Sequence, residues 1–558
     1  MSATGRLGGT RPLGGPQQSM ARPIPGPGRR GRRSADWAPV GVAILVILGA
    51  MAAGMLAADS AILTVALACA LALGVAIVLR PDVATLTAIA ILYSNAAVVA
   101  VRFHGVPAFA AAAVPMLLVI PLARDLVVRR LPIVAPPMLG WMIVLLVIHL
   151  VSASFSTDVP RSWDATVVFI VEGVGLYFML VNVIRTPELL RQVTWVLLVV
   201  GAGLAVLSIH QVLTSNYDSI YFGFAQPSAA IRTGQTLAGE VVQRRLAGPI
   251  GETNRFAQVM LMLVPLGIFR YIGERTPTLR LTAGVLTALI TIAVVMTFSR
   301  GAAVGMGALI LALIVLRMVR LRHILLFVAG ITVVLVMSPQ YASRILSIAE
   351  VGALTSENAA TSGASNVILS RATETLAAAL VMADHPILGV GPDMFNDNYQ
   401  HYAEIVGLFV REGETREAHN LYMGYGAELG VVGLAVFLWI AWQTIAMVAR
   451  ARRRSLRRRP DLEQLTTPFA LALMTYYVTG LFLHLSFARY YWLMVALAGA
   501  AAVITLREMD AVDDAESEDP AVVPYATEVL DSMTGPAAPK GLGGAAGSPR
   551  RLPGSASV

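Results

Sequence analysis

Long apolar stretches, each near the length needed to cross a membrane, alternate with short polar segments along most of the chain. About 20 apolar residues in a helix span the hydrocarbon of a bilayer. By that measure spans are expected at 37–58, 60–79, 83–101, 107–123, 134–153, 164–184, 189–213, 254–270, 280–298, 301–317, 323–338, 421–449, 464–485 and 490–506. The expected fold class is therefore all-α, a polytopic integral membrane protein of about fourteen transmembrane helices, twelve at the least. The spans fall into three groups, at 36–213, 254–338 and 421–507, separated by two long polar interruptions at 214–253 and 339–420. In the second interruption, residues 366–383 place Val367, Ile368, Ala372, Leu376, Ala379, Leu380 and Val381 at helical spacing. This predicts an amphipathic helix suited to the membrane surface, ending at His385 and Pro386, with Gly389 and Gly391 in the turn beyond. Residues 1–35 and 508–558 lack apolar periodicity and are expected to be disordered tails.

Composition sharpens this reading. The chain has 558 residues, 56% hydrophobic and 14% charged, with mean hydropathy +0.69. Soluble domains carry about 25% charged residues, so the apolar excess here needs lipid around it. The net charge of +8 is almost wholly Arg, because Lys540 is the only Lys. These Arg sit between apolar runs, as membrane orientation requires, and do not form a nucleic-acid patch. With the N-terminus inside, seven Arg from Arg450 to Arg459 and clusters at Arg29–Arg33, Arg124–Arg130, Arg270–Arg280 and Arg317–Arg322 all fall on the inner side. The short outer loops then hold only Arg102, Arg161, Arg300 and Arg489. The bias predicts a multi-pass protein of the cytoplasmic (inner) cell membrane with both termini cytoplasmic and both long loops outside. Cys69 is the only cysteine, so no internal disulfide can form.

Four segments carry candidate chemistry. The first runs from Arg245 to Ala257 through Gly248, Asn254 and Arg255. The second is Thr297 to Gly301, with Ser299 and Arg300. The third is Asp384 to Gly391, and the fourth is Ala418-His419-Asn420-Leu421-Tyr422, followed by Glu428, Gly430 and Gly433. Together, in this order and spacing over about residues 240–440, they resemble the O-antigen ligase and O-antigen polymerase (Wzy-type) superfamily of bacterial membrane glycosyltransferases. Thr253 stands where that family often has Pro before the Asn.

The resemblance implies a glycan donor linked to a polyprenyl (undecaprenyl) diphosphate, a glycan or lipid acceptor with a free hydroxyl, and direct displacement with inversion at the outer membrane face, within cell-envelope or exopolysaccharide biosynthesis. The residue types suit that chemistry. Guanidinium stays charged and presents a planar fork to phosphate oxygens. Imidazole can accept a hydroxyl proton near neutral pH. His419, Arg300 and Arg245 are the expected catalytic residues; Arg244, Asn254, Arg255, Arg371, Asn420 and Glu428 are the expected substrate-binding ones. Plainer readings stand beside these. Arg300 can snorkel to headgroups, Asn420 can cap a helix, His385 fits a structural turn, and Asp82, Glu172, His149, His210 and His484 read mainly as packing or interface residues. No metal and no cofactor are expected. The outer acids Asp384, Asp393, Asp397 and Glu404 lack metal-ligand spacing, and no nucleotide-binding fingerprint or nucleic-acid partner is indicated. A transporter or flippase for a lipid-linked glycan or other amphiphile is the alternative; it predicts ionisable residues near mid-membrane.

Overall fold

The computed structural model describes residues 71–227, 231–236, 239–243, 245–318, 363–408, 416–485 and 488–518. The chain falls into two compact units, Met1–Leu79 and Arg80–Val558; the described residues 71–79 of the first are helical. The expected spans at 37–58 and 323–338, most of the one at 60–79, residue Arg244 and the 1–35 tail lie outside the described residues.

The second unit opens with α1 (Asp82–Ser94) and α2 (Ala96–His104), bent by 59° where Asn95 adopts a left-handed φ of 62°. Then come α3 (Ala108–Val128), α4 (Pro137–Ser154), α5 (Val159–Val183) and α6 (Pro187–Leu213). After the first long loop follow α7 (Thr253–Gly273), α8 (Pro277–Met296) and α9 (Arg300–Val315). The second long loop contributes α10 (Gly363–Asp384) and α11 (Phe395–Val406). The chain continues through α12 (Leu421–Ser455), α13 (Pro460–Thr479) and α14 (Ala488–Glu518). Among the described residues, eight helices are long and apolar enough to cross a membrane, and nine if the bent α1–α2 pair is one span. Two expected spans fall short of that standard. Helix α9 has 16 residues. Helix α13 has 20, but Asp461, Glu463, Gln464, Thr466 and Thr467 make its first half polar.

The helix starts follow local chemistry. Pro opens α4, α8 and α13, and Pro187 opens α6, where a missing N–H costs nothing and φ is already helical. At the opposite ends of the bundle the starts are capped by side chains. Glu252 accepts from the backbone N–H of Asn254 and Arg255, Ser299 from Ala302, and Asn420 from Tyr422 and Met423. Helices α7 and α14 are buried on nearly every side, from Phe256 to Phe269 and from Tyr490 to Ala502. Small residues let neighbours in: Gly267 lies against Thr287, and Gly499 against Tyr177.

Three details differ from the sequence expectation. In the first long loop of an otherwise helical fold, Ile231–Thr236 and Gly239–Gln243 pair as an antiparallel ribbon, β1–β2. Its β-branched residues (Ile231, Thr233, Thr236, Val241 and Val242) favour extended backbone. Helix α10, expected on the membrane surface, buries Ala377, Ala378 and Val381 against protein, sharing a cluster with Phe395, Tyr399, Tyr402 and Ala427. And residues 508–518, expected to begin a disordered tail, continue α14. Arg454 pairs with Asp510 at 2.7 Å and with Asp513 at 2.5 Å, and Arg458 pairs with Asp513 and Glu516, so the acids of the tail clasp the Arg cluster that ends α12.

Helix α12 is broken at Gly430, whose φ of 68° and ψ of −176° are open essentially only to glycine. The segment after α10 repairs the break. Val390 and Gly391 donate to the carbonyls of Ala427 and Glu428, both at 3.0 Å, and Val431 donates to Pro386 O at 2.7 Å. Backbone groups freed inside a membrane protein must find such partners. The third and fourth sequence motifs are thus two halves of one backbone joint.

Candidate active site

Helices α7, α9 and α12 begin, and α8 and α13 end, at the same end of the bundle. The loop before α7 supplies Arg245. Its Nε donates to Thr297 O at 2.7 Å and its Nη2 to Asn254 Oδ1 at 3.3 Å. The first motif is thereby tied to the α8–α9 turn that carries Arg300. Glu252, the cap of α7, holds Arg255 Nε at 2.7 Å, and Arg255 Nη2 donates to His484 Nε2 at 2.6 Å. Ring centroids of His484 and His419 stand 5.9 Å apart.

Helix α10 closes the circle. Arg371 is largely enclosed, and burial lowers its pKa; Glu374 and Glu252 act against that and Arg300 reinforces it, which puts two guanidinium groups in each other's field. Among the described residues neither Arg300 nor Arg371 has a carboxylate within ion-pair distance. The arrangement holds unneutralised positive charge beside a half-exposed surface, as an anion site requires.

His419 sits opposite. Its φ of 46° is left-handed, a strained setting for a non-glycine residue, and Asn420 fixes it by capping α12 and donating to Leu481 O at 3.3 Å. Nδ1 lies 3.0 Å from the carbonyl of Glu417 and 3.0 Å from Glu374 Oε2. A carbonyl only accepts, so Nδ1 carries a proton, and in the neutral tautomer the lone pair is on Nε2. Burial works against charge on Glu374, yet contacts with His419 and Ser370 and the nearby Arg416 hold its carboxyl below the ordinary range. The Glu417 carbonyl orients the imidazole, and an ionised Glu374 at 3.0 Å, which makes no well-aligned hydrogen bond to it, stabilises the ring when protonated.

Glu417 forms a second acid–imidazole contact, 3.1 Å from His484 Nε2, with Asn396 donating at 3.1 Å. Burial raises its pKa, but His484, Asn396 and Arg255 outweigh burial and leave it at about 2. Burial, aided by Arg255, lowers that of His484. Both depressed values act in one direction. The stability contributed by ionised Glu417 is complete above its unfolded value of about 4.3, and it is lost as pH falls toward about 2. Neutral His484 favours folding above about 6.5 and loses that advantage as pH falls further. Thermal stability in detergent should fall on acidification from pH 7 to pH 3. Glu417→Gln should flatten the lower part of that curve; an unchanged acid limb would refute the assignment.

The structure thus brings together Arg245, Asn254, Arg255, Arg300, Arg371 and His419 from segments far apart in the chain. Asn420 spends its side chain on capping. Glu428 faces a different space, a cavity it shares with Arg161, Asp393 and Arg489. His385 is part of the turn after α10, with Gly389 N–H donating to its carbonyl at 3.0 Å. Glu252, Glu374, Glu417 and His484 went unpicked in the sequence. The available signal was spacing: Glu374 is one turn from Arg371, and Glu417 lies two residues before His419. Among the described residues no three His, Cys, Asp or Glu side chains gather as metal ligands.

No curated protein matches the chain in sequence. Residues 285–438, from α8 through the first half of α12, match the family model described as O-antigen ligase. With its eight membrane-length helices among the described residues, the chain is a membrane protein whose residues 285–438 form an O-antigen ligase-like region.

Proposed function

We propose that the protein transfers a glycan from a polyprenyl-diphosphate donor to an acceptor hydroxyl at the outer face of the cell membrane. The observation that carries this reading is the juxtaposition of Arg300 and Arg371, without ion-paired carboxylates among the described residues, with the imidazole of His419, which Glu374 joins to them one turn from Arg371. Arg300, Arg371 and Arg245 grip the diphosphate. The acceptor hydroxyl oxygen attacks the anomeric carbon and its proton passes to His419 Nε2. The bond from that carbon to the diphosphate oxygen breaks, and the electron pair leaves on the diphosphate. Attack opposite the leaving group inverts the anomeric centre, and the charges needed are supplied by side chains without a metal ion. The Arg bias of the loops supports placing this end of the bundle outside.

Removing one pre-placed charge at a developing anion lowers turnover by about 10²–10³-fold. Arg300→Ala and Arg371→Ala should each do so in reconstituted vesicles given undecaprenyl-diphosphate-linked glycan, while inserting and folding normally. Full activity in either variant would sink the proposal. The break in α12 and the ionisable lining beneath it are what a lipid-linked-glycan flippase would also use. Movement of intact donor across vesicles, with no new glycosidic product, would favour that second reading.

A further inference from the structure

Behind the cationic face lies a cavity of about 600 Å³, within the range of about 300–1,000 Å³ of small-molecule sites. Its chemistry is the opposite of the face in front. Asp164, Glu172, Asp393, Glu417 and Glu428 line it against two guanidinium groups, Arg161 and Arg489. Both are already engaged, since Arg161 bridges Asp393 at 2.9 Å and Asp397 at 2.8 Å and Arg489 lies 3.5 Å from Glu172. The buried part of the lining is aromatic. His149 stacks on Phe169 at 4.4 Å between centroids, and Phe169 meets Trp492 at 5.1 Å. Trp492 is fully buried, and its Nε1 has no acceptor among the described residues. Helix α5 widens into a π-helical turn at Phe169–Gly175, which carries both Phe169 and Glu172; such turns mark functional positions. The cavity reaches the catalytic face at His484 and Glu417, the neighbours of His419.

We infer that this cavity is the acceptor subsite, and that it takes a neutral, hydroxyl-rich saccharide. The inference rests on the transfer reading above. Carboxylates and guanidinium groups satisfy sugar hydroxyls, and aromatic faces cover the apolar C–H faces of the ring. A second diphosphate or an acidic sugar would meet Asp164 and Glu417, with Arg161 and Arg489 already held by Asp393, Asp397 and Glu172, and is turned away by like-charge repulsion. Division of charge then sorts the two substrates. The donor's diphosphate goes to Arg300 and Arg371, the acceptor ring to the acidic pocket, and the reacting hydroxyl reaches His419 between them.

The test is equilibrium binding to the full-length protein in lipid nanodiscs. Saturation-transfer NMR reads a panel of neutral methyl hexosides and the matching methyl hexuronides; undecaprenyl diphosphate binding is read separately. Neutral hexosides should bind, and hexuronides should bind about tenfold or more weakly. Trp492→Phe and Glu428→Gln should each weaken hexoside binding about tenfold while leaving undecaprenyl diphosphate binding intact, which also certifies the fold. Arg300→Ala and Arg371→Ala should show the reverse. Hexoside binding unchanged in both cavity variants, equal binding of the hexuronides, or no hexoside binding by protein that binds undecaprenyl diphosphate overturns the subsite. Hexoside binding lost in the cavity variants, with undecaprenyl diphosphate binding indifferent to both Arg substitutions, upholds the subsite and overturns the transfer reading instead.

Discussion

His419→Ala is expected to lower glycan transfer by about 10²–10⁴-fold, the usual worth of a positioned general base. The neighbouring imidazole, His484, is already engaged, with Nε2 lying 2.6 Å from Arg255 Nη2 and 3.1 Å from Glu417 Oε2. Glu374 is the electrostatic partner of His419. Glu374→Gln keeps the size of the side chain but removes the charge that stabilises protonated His419, so the rate constant for transfer should fall while the KM for the donor stays put. His419→Gln should match His419→Ala, because an amide fills the space without taking a proton. Insertion, thermal stability and undecaprenyl diphosphate binding serve as controls. If His419→Gln kept more than a tenth of the wild-type rate, the imidazole would be a scaffold and the base would have to be sought elsewhere.

The sequence exposed the membrane architecture well, because apolar length and Arg bias act locally and need no knowledge of packing. It also exposed the cations: three of the four Arg in the short outer loops, Arg161, Arg300 and Arg489, line the cavity or the face in front of it. What it hid were relationships set by tertiary contact. Glu374 belongs with His419 only because α10 packs on α12, and 44 intervening residues carry no trace of that. His484 reads as an ordinary helix-end residue until Arg255, far away in sequence, is placed on it. That α10 packs Ala377, Ala378 and Val381 on protein was hidden for the same reason. An apolar stripe shows that a face is covered, and not whether lipid or protein covers it. The tail at 508–518 failed because its acids find Arg454 and Arg458, a pairing that periodicity does not record.

Gly430→Ala should be among the most damaging glycine-to-alanine changes at the described residues. At φ 68° and ψ −176° a side chain is strained by about 1–3 kcal/mol before any contact is counted. The added Cβ would then stand 2.4 Å from Ile387 O and 2.7 Å from Pro386 O, both backbone atoms that cannot swing aside. Gly389→Ala meets the same joint from the other side, with its Cβ 2.2 Å from the Glu428 carbonyl carbon at φ +66°. Each substitution should cost more than about 3 kcal/mol, against a typical whole-protein stability of about 5–15 kcal/mol. It would be seen as a large drop in melting temperature in detergent, or as failure to accumulate in the membrane. Gly307→Ala is the control. That glycine sits in α9 with nothing within 4 Å of its Cβ, so alanine there should be neutral or stabilising by up to about 1 kcal/mol. The joint also sets the site, since the break at Gly430 lies two residues beyond Glu428 and the repairing loop leads directly into Asp393. Either variant, if it accumulates at low temperature, should therefore lose saccharide binding before it loses undecaprenyl diphosphate binding. Wild-type melting behaviour in Gly430→Ala would show that α12 runs straight, and that the interlocked backbone is not what holds the cavity in shape.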